Sequence, residues 1–141
     1  MKKAKRIVVG LKIPEHVVEL TDLACRMGAR GASLLLIHVV ELPPATPLDA
    51  ELPEVEAAAE EMFRTAGRVA RRGGMKVSKL LLHARSAGEA LLDELKEKEI
   101  ELAVLGYHHA QTIGDILLGT TARQVARHAP CHVLLSIPPR G

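Results

Sequence analysis

The chain has 141 residues, 48% of them hydrophobic, which suits one compact domain spanning residues 1–141 with a substantial core. The 19 Lys and Arg against 17 Asp and Glu leave a net charge of +2, so the overall charge favours neither nucleic acid nor an anionic membrane surface. One Phe and one Tyr provide almost no platform for stacking single-stranded bases. No nucleic-acid partner is predicted.

The first residues of the chain and its cysteines indicate the cellular compartment of the protein. The first ten residues, MKKAKRIVVG, are basic and then apolar, but the apolar stretch is too short for a signal peptide. No window holds the roughly 20 apolar residues that a membrane-spanning helix needs. Cys25 and Cys131 have neither metal-ligand spacing nor a disulfide framework, and we interpret them as buried free thiols. We therefore expect a cytoplasmic protein with no membrane insertion.

In the first half of the chain, apolar runs of strand length alternate with helical periodicity. A β-branched run at 6–11 predicts the first strand, and Pro14 then starts a helix whose apolar stripe ends at Gly28. The second strand, 33–40, is apolar almost throughout, which is typical of a strand covered on both faces. The segment 43–47 contains three prolines, and we expect a loop of low order there, a flap or partner contact being the alternative.

The second half continues the alternation. Pro53 starts a second helix, which ends at two arginines and two glycines in 71–74. Ser86 and Glu89 form a capping box that starts the third helix. The remaining predicted elements are strands at 75–83, 102–105 and 133–137 and a helix at 120–128.

Five strands and four helices in this order predict the fold. Each connection is long enough for a right-handed crossover, so we expect an α/β fold: a single doubly wound, five-stranded parallel sheet in the order 3-2-1-4-5, with helices on both faces. In such sheets, ligands bind beyond the carboxyl ends of the strands where the strand order reverses. The expected site therefore lies between the first and fourth strands, among the loops at 12–14 and 107–119.

The start of the fourth helix is a candidate anion site. Gly119, Thr120 and Thr121 precede its apolar positions, and such a start leaves backbone N–H groups that commonly bind phosphate. An ordinary helix cap without a ligand is the alternative, and the residues alone leave both open. His108 and His109 are adjacent, so in an extended backbone they point opposite ways and form a poor chelate. No metal site is predicted.

A spaced pattern of residues surrounds this helix start. Gly106 ends the fourth strand, His109 follows three residues on, and Gly119 with Thr120 follows ten residues later. The pattern is completed by the ending of the second strand and the junction before the fifth, at residues 36–40 and 127–135. Together these residues resemble the universal stress protein family, whose nucleotide-binding members have three glycines at these positions, the last followed by Ser or Thr. Here His109 replaces the middle glycine, and Lys12 replaces an aspartate after the first strand.

The resemblance implies an adenine nucleotide alpha hydrolase-like fold and an adenine nucleotide, ATP or AMP, at the switch point. It implies Val39 against the adenine, Leu105 and Gly106 beneath the sugar, and the helix start around the phosphates. Composition alone favours ordinary core positions for Val39 and Leu105. The nucleotide-binding residues predicted in this way, with three cationic or imidazole side chains as anion partners, are Lys12, Val39, Leu105, Gly106, His108, His109, Gly119, Thr120 and Thr121.

A regulatory module that binds the nucleotide weakly, without turnover, is the function we expect. No catalytic residue is predicted, because no nucleophile elbow and no pair of carboxylates occur at the switch point. Only Glu41 or Asp115 could supply a carboxylate to magnesium, whose presence stays open. The alternative function is nucleotide-independent dimerisation or partner docking with a degenerate site, motivated by Lys12 and His109.

The fifth strand predicts self-association. It is apolar and would lie at the edge of the sheet, which soluble proteins rarely leave bare. The family resemblance also implies pairing of this strand with its copy, so we expect a homodimer through Val133, Leu134 and Leu135. A regulatory partner is expected as well, but nothing in the residues identifies it.

Overall fold

A computed structural model describes residues 2–107 and 119–139 of the chain. In chain order, its elements are β1 (Ala4–Leu11), a short 3-10 turn (Pro14–His16), α1 (Val17–Met27), β2 (Gly28–Glu41), α2 (Pro53–Arg72), β3 (Lys76–Ala84), α3 (Ala87–Glu97), β4 (Leu102–Gly106), α4 (Thr120–His128) and β5 (His132–Ser136). Each predicted strand and helix has a counterpart. Within the described residues, no helix is both long and apolar enough to cross a bilayer.

The five strands form one sheet in the order β3-β2-β1-β4-β5, and each neighbouring pair is parallel. The predicted fold class and strand order are therefore confirmed. The order reverses between β1 and β4, because β1 is followed outward by β2 and β3 on one side and by β4 and β5 on the other. The carboxyl ends of β1 and β4 lie at this reversal.

Side chains alternate between two apolar clusters, one on each face of the sheet. Leu34 and Leu36 of β2 pack on the face covered by α1 and α2, whereas Leu35 and Ile37 pack on the face that includes Leu91 of α3. Because successive side chains of a strand point to opposite faces, a strand buried on both faces must be apolar at every position. This explains the unbroken apolar run from which β2 was predicted.

The start of β2 lies earlier than predicted, at Gly28 rather than at Ser33. Ala4 of β1 pairs with Gly28, and the register then shifts before the regular pairing that begins at Arg6 and Ser33. Gly31 has a φ of 78°, which a glycine adopts at little cost, and its N–H donates to the Gly74 carbonyl at 3.1 Å. Gly28, at which the apolar stripe of the first helix was predicted to end, therefore belongs with Gly31 to an irregular strand.

The segment 43–47 is a loop, as predicted, and tertiary contacts hold it against the end of β3. Side chains at the end of β3 bind its carbonyl groups: Arg85 Nη1 donates to the Pro43 and Thr46 oxygens, and His83 Nδ1 lies 2.8 Å from the Leu48 oxygen. The Thr46 N–H also donates to the Pro43 oxygen at 3.0 Å, which closes a turn. The contacts from His83 and Arg85 span more than 30 positions along the chain, so local composition did not reveal them.

Candidate functional site

A cleft of about 400 Å³ opens beyond the carboxyl ends of the central strands, where the strand order reverses. The structure brings seven of the nine predicted site residues to its lining: Lys12, Val39, Leu105, Gly106, Gly119, Thr120 and Thr121. The other two, His108 and His109, lie outside the described residues. The structure thus shows that these seven residues line one cleft, and their role in nucleotide binding stays a prediction.

The floor of the cleft is apolar and lies on the α3 side of the sheet. It is lined by Ile37 and Val39 of β2, Leu105 of β4 and Leu91 of α3. Leu105 is 5% exposed and packs in the core cluster, whereas Val39 is half-buried against it. Val39 and Leu105 are therefore core residues and cleft residues at once, because each packs in the core at the rim of the sheet and presents its outer surface to the cleft.

Gly10 of β1 lets Leu105 reach across this floor. A Cβ atom at position 10 would lie 2.6 Å from Leu105 Cδ2, which no side chain could tolerate without displacing Leu105. Sequence reasoning treated Gly10 only as part of an apolar run. The signal was present, since an isolated glycine inside a strand often marks a close approach of another group.

On the α1 side, the cleft is lined by His16, Leu20 and Gly106. A Cβ atom at position 106 would lie 3.0 Å from Leu20 Cδ1 and 3.2 Å from His16 Nδ1. The glycine therefore allows α1 and its preceding turn to pack closely against the end of β4. His16 was not among the predicted residues, because its approach to the site depends on this packing. Lys12 is exposed just beyond β1 and supplies a cation at the rim.

The N-terminus of α4 meets the cleft, and none of the described side chains caps it. Gly119 is the N-cap residue, with an extended backbone (φ −60°, ψ 158°), and the first turn contains no acidic residue. No atom of the described residues lies within 4 Å of a Cβ atom built at position 119, and Thr120 and Thr121 line the cleft beside it. The first N–H groups of a helix lack intrahelical partners and carry the positive end of the helix dipole. This is the usual composition of a phosphate-binding helix start.

The N-terminus of α3 also meets the cleft, but protein side chains cap it. Ser86 Oγ accepts from the Glu89 N–H at 3.2 Å, as the capping box predicted, and Glu41 Oε2 accepts from the Ala87 N–H at 2.8 Å. Glu41 and Ala87 both line the cleft. Sequence reasoning considered Glu41 only as a magnesium carboxylate, since nothing local relates it to a helix that begins 46 residues later.

Thiol and metal chemistry receive no support from the described residues. Cys25 and Cys131 are half-buried rather than buried, which corrects the prediction, because each lies near the end of an element. Burial raises the pKa of both thiols above the ordinary value, so neither is an activated nucleophile. Within residues 2–107 and 119–139, no group of three or more His, Cys, Asp or Glu side chains could hold a metal ion. Asp115 lies outside the described residues.

Comparison with known proteins places this arrangement in a family. The profile of the universal stress protein family matches residues 3–136. The chain belongs to the universal stress protein family. No curated protein matches the chain.

Solved structures of family members share the fold. A universal stress protein from Archaeoglobus fulgidus has 21% identity and a TM-score of 0.74, over 92% of this chain and 96% of that one. Its complex with dAMP gives 21% identity and a TM-score of 0.69, over 92% and 95% of the two chains. An Arabidopsis thaliana family protein with AMP bound has 16% identity and a TM-score of 0.62, over 94% and 92%. At these identities the likeness establishes the fold.

Proposed function

We propose that this universal stress protein is a regulatory module that binds an adenine nucleotide, ATP or AMP, weakly in the cleft between β1 and β4. The observation that carries the proposal is the start of α4, where Gly119, Thr120 and Thr121 open on the cleft and the N-cap residue has no side chain. The dAMP and AMP complexes of two family members agree with this ligand class. We also infer a cytoplasmic location and an unidentified regulatory partner.

The lining of the cleft suits a nucleotide, because an apolar surface faces the base and polar groups face the phosphates. The adenine ring packs against Val39, the sugar lies over Leu105 and Gly106, and the phosphates meet the N–H groups at the start of α4. An apolar floor beside a few polar groups is typical of small-molecule sites. Lys12 at the rim adds a positive charge for the phosphates.

Weak binding is proposed because of Lys12. An aspartate at this position would accept hydrogen bonds from a nucleoside, whereas an ammonium group can only donate. The loss of one charged hydrogen bond costs about 1.5 to 3 kcal/mol, a factor of roughly ten to a hundred in affinity. The expected dissociation constants are therefore on the order of a millimolar.

Binding without turnover is part of the proposal. Among the described residues that line the cleft, Glu41 is the only carboxylate, and its Oε2 is engaged by the Ala87 N–H. A magnesium ion prefers several oxygen ligands and substrate phosphates. A single carboxylate gives little support to metal-assisted hydrolysis, so magnesium is expected to change nucleotide binding only slightly.

Gly119→Asp tests the proposal. The new carboxylate can accept from the Thr121 or Ala122 N–H, so it stabilises α4, while its charge repels phosphate from the same N–H groups. The backbone at Gly119 has a negative φ, and no atom in residues 2–107 or 119–139 comes within 4 Å of the new Cβ atom. Calorimetry with millimolar ATP, ADP and AMP is expected to give heat with the parent and none with the variant.

Gly119→Ala is the matched control. It adds a Cβ atom at the same position without a charge or an acceptor, so nucleotide binding is expected to persist. Thermal unfolding of both variants checks that the fold is retained. Flat titrations of the parent with all three nucleotides, with and without magnesium, would reject the proposal.

A second candidate function is nucleotide-independent dimerisation or docking. It is favoured by Lys12, which is exposed at the rim of the cleft and removes an acceptor there. On this view the parent binds no nucleotide, and Lys12→Asp combined with His109→Gly creates binding. If the parent binds nucleotide tightly and the double variant binds it equally well, this candidate fails.

A further inference from the structure

The cleft has a second polar wall, formed by Glu41 where β2 ends. We propose that Glu41 determines specificity: its carboxylate accepts a hydrogen bond from the nucleoside end of the ligand and turns the phosphates away from the start of α3. This inference rests on the proposed nucleotide binding and deepens it. It concerns a residue that the predicted site did not include.

Sheet geometry places Glu41 next to the proposed base position. Ile37, Val39 and Glu41 alternate along β2, so their side chains leave the same face of the sheet. The first two pack in the cluster that contains Leu91, and all of these residues line the cleft. Glu41 therefore forms a polar rim where the apolar floor of the cleft ends.

The Glu41 carboxylate is held in place and keeps acceptor capacity. Its Oε2 accepts from the Ala87 N–H at 2.8 Å, which joins the end of β2 to the first residue of α3. An ionised carboxylate has two oxygens with about four acceptor positions, and this bond occupies one of them. A hydroxyl or amine of a ligand can therefore donate to Glu41 without breaking the contact with α3. Lys12, at the neighbouring strand end, has no acceptor to offer.

The two helix starts that meet the cleft differ in charge, and this difference orients the ligand in the cleft. At α3, Glu41 binds the Ala87 N–H and Ser86 binds the Glu89 N–H, so a negative charge already occupies the anion-binding end. At α4, the N-cap residue Gly119 has no side chain. Like charges repel and a phosphate prefers uncapped N–H groups, so phosphates go to α4. The donor groups of the nucleoside then face Glu41.

Two parts of an adenine nucleotide share this donor chemistry: the ribose hydroxyls and the exocyclic amine. Titrations followed by NMR chemical shifts distinguish them, with ATP compared with 2′-deoxy-ATP, 3′-deoxy-ATP and inosine triphosphate. In the parent, the analogue that lacks the critical donor is expected to bind more weakly than ATP by roughly tenfold or more, because it loses a hydrogen bond to a charged group. The other analogues should bind as ATP does.

Glu41→Gln is the protein side of the experiment. Glutamine keeps an oxygen that accepts from the Ala87 N–H, so α3 stays capped while the charge is lost. The preference of the parent for ATP over the critical analogue is expected to shrink to about twofold or less, because a neutral acceptor forms a weaker bond. Binding of pyrophosphate, titrated separately, is expected to strengthen by about twofold or more, because the repelling charge is gone.

Glu89→Gln is the matched control. It removes one negative charge from the same first turn of α3, but Glu89 is exposed and does not line the cleft. The preference of this variant among the nucleotides should equal that of the parent. Thermal unfolding of both variants reports whether α3 has been disturbed.

The outcomes separate this inference from the proposed function. If the parent binds ATP and all analogues equally, or if Glu41→Gln discriminates as the parent does, Glu41 has no specificity role and nucleotide binding stands. An equal effect of Glu89→Gln also overturns the inference, because general charge would then explain it. If the parent binds none of the nucleotides, both proposals fall. The parent series needs no variant, so misfolding of Glu41→Gln cannot leave the question open.

Discussion

Glu101, just before β4, ties three strands together through its backbone and its side chain. Its Oε1 accepts from the Lys5 N–H at 2.6 Å and from the Arg6 N–H at 3.0 Å. Its own N–H donates to the Arg6 oxygen, and its carbonyl accepts from the His132 N–H. The bonds from Lys5 and then Arg6 hold the pKa of the Glu101 carboxyl below its usual value.

Glu101→Gln is expected to lower stability at pH 7 by an amount that shrinks as the pH falls. A carboxyl whose pKa is lower in the folded state contributes stability above its unfolded pKa, and this contribution is lost as the pH falls through the folded pKa. Urea unfolding of parent and variant from pH 7 to pH 3 measures the difference. Glu99→Gln, an exposed neighbour whose side chain makes no hydrogen bond within the described residues, is the control. A difference that stays constant with pH would contradict the assignment.

At the scale of elements, the two edges of the sheet differ. The β3 edge carries the exposed Lys76 and Lys79, and charged side chains discourage pairing with another strand. β5 has no Lys, Arg, Asp or Glu between His132 and Ser136, and Ile137 beyond it is 42% exposed. We therefore propose that β5 pairs with its copy in a homodimer, through Val133, Leu134 and Leu135.

Val133→Pro is expected to give a folded monomer. The His132 N–H and the Ser136 carbonyl bond towards β4, so the alternate residues Val133 and Leu135 direct their N–H groups away from the sheet. A proline at 133 removes an outward donor and leaves the ladder to β4 intact. Light scattering at micromolar concentration is expected to give a dimer mass for the parent and a monomer mass for the variant.

Leu134→Pro is the control for this change. Its N–H points towards β4, so the same substitution one residue later removes a ladder hydrogen bond and is expected to destabilise the fold. Circular dichroism compares the two variants. A monomeric parent, or a Val133→Pro variant that remains dimeric, would rule out this interface.

At the scale of the whole molecule, the two apolar clusters share the same strands. Leu34 and Ile37 of β2 are both fully buried and lie in different clusters. Leu34→Ala and Ile37→Ala are each expected to cost about 2 to 5 kcal/mol, because each leaves a cavity on one face of the sheet. Neither face can unfold while the strands stay in place, so each variant should show one transition.

Urea unfolding followed by circular dichroism and by Tyr107 fluorescence tests this cooperativity. The two probes report the whole backbone and the end of β4, where Tyr107 is 4% exposed. Coincident curves are expected for the parent and both alanine variants. Separate midpoints for the two probes would mean that the faces unfold independently.

The distribution of basic side chains over the molecule also bears on the cleft. Arg30, Arg71, Arg72 and Lys76 are exposed where helices end and strands begin, and none joins an ion pair with a described residue. The cleft lies at the opposite end, and salt screens charges more than about 8 to 10 Å away. This separation agrees with weak attraction of phosphate to the cleft.

The sequence by itself determined the elements, their order and the family. Unbroken apolar runs, the proline at 53 and the serine cap at 86 act within a few residues, so they can be recognised without knowing what packs against them. The reversal of strand order then predicted a candidate site between β1 and β4, where the structure has a cleft.

Only the tertiary structure decided which groups the site contains. Glu41 accepts from the Ala87 N–H 46 residues away, Arg85 donates to a loop about 40 residues before it, and Gly10 makes room for Leu105 on another strand. Such contacts depend on how the crossovers bring distant segments together, and no local pattern records them. Hydrophobic periodicity reports which side of an element is buried, whereas hydrogen bonds between elements depend on positions that only the packed chain defines.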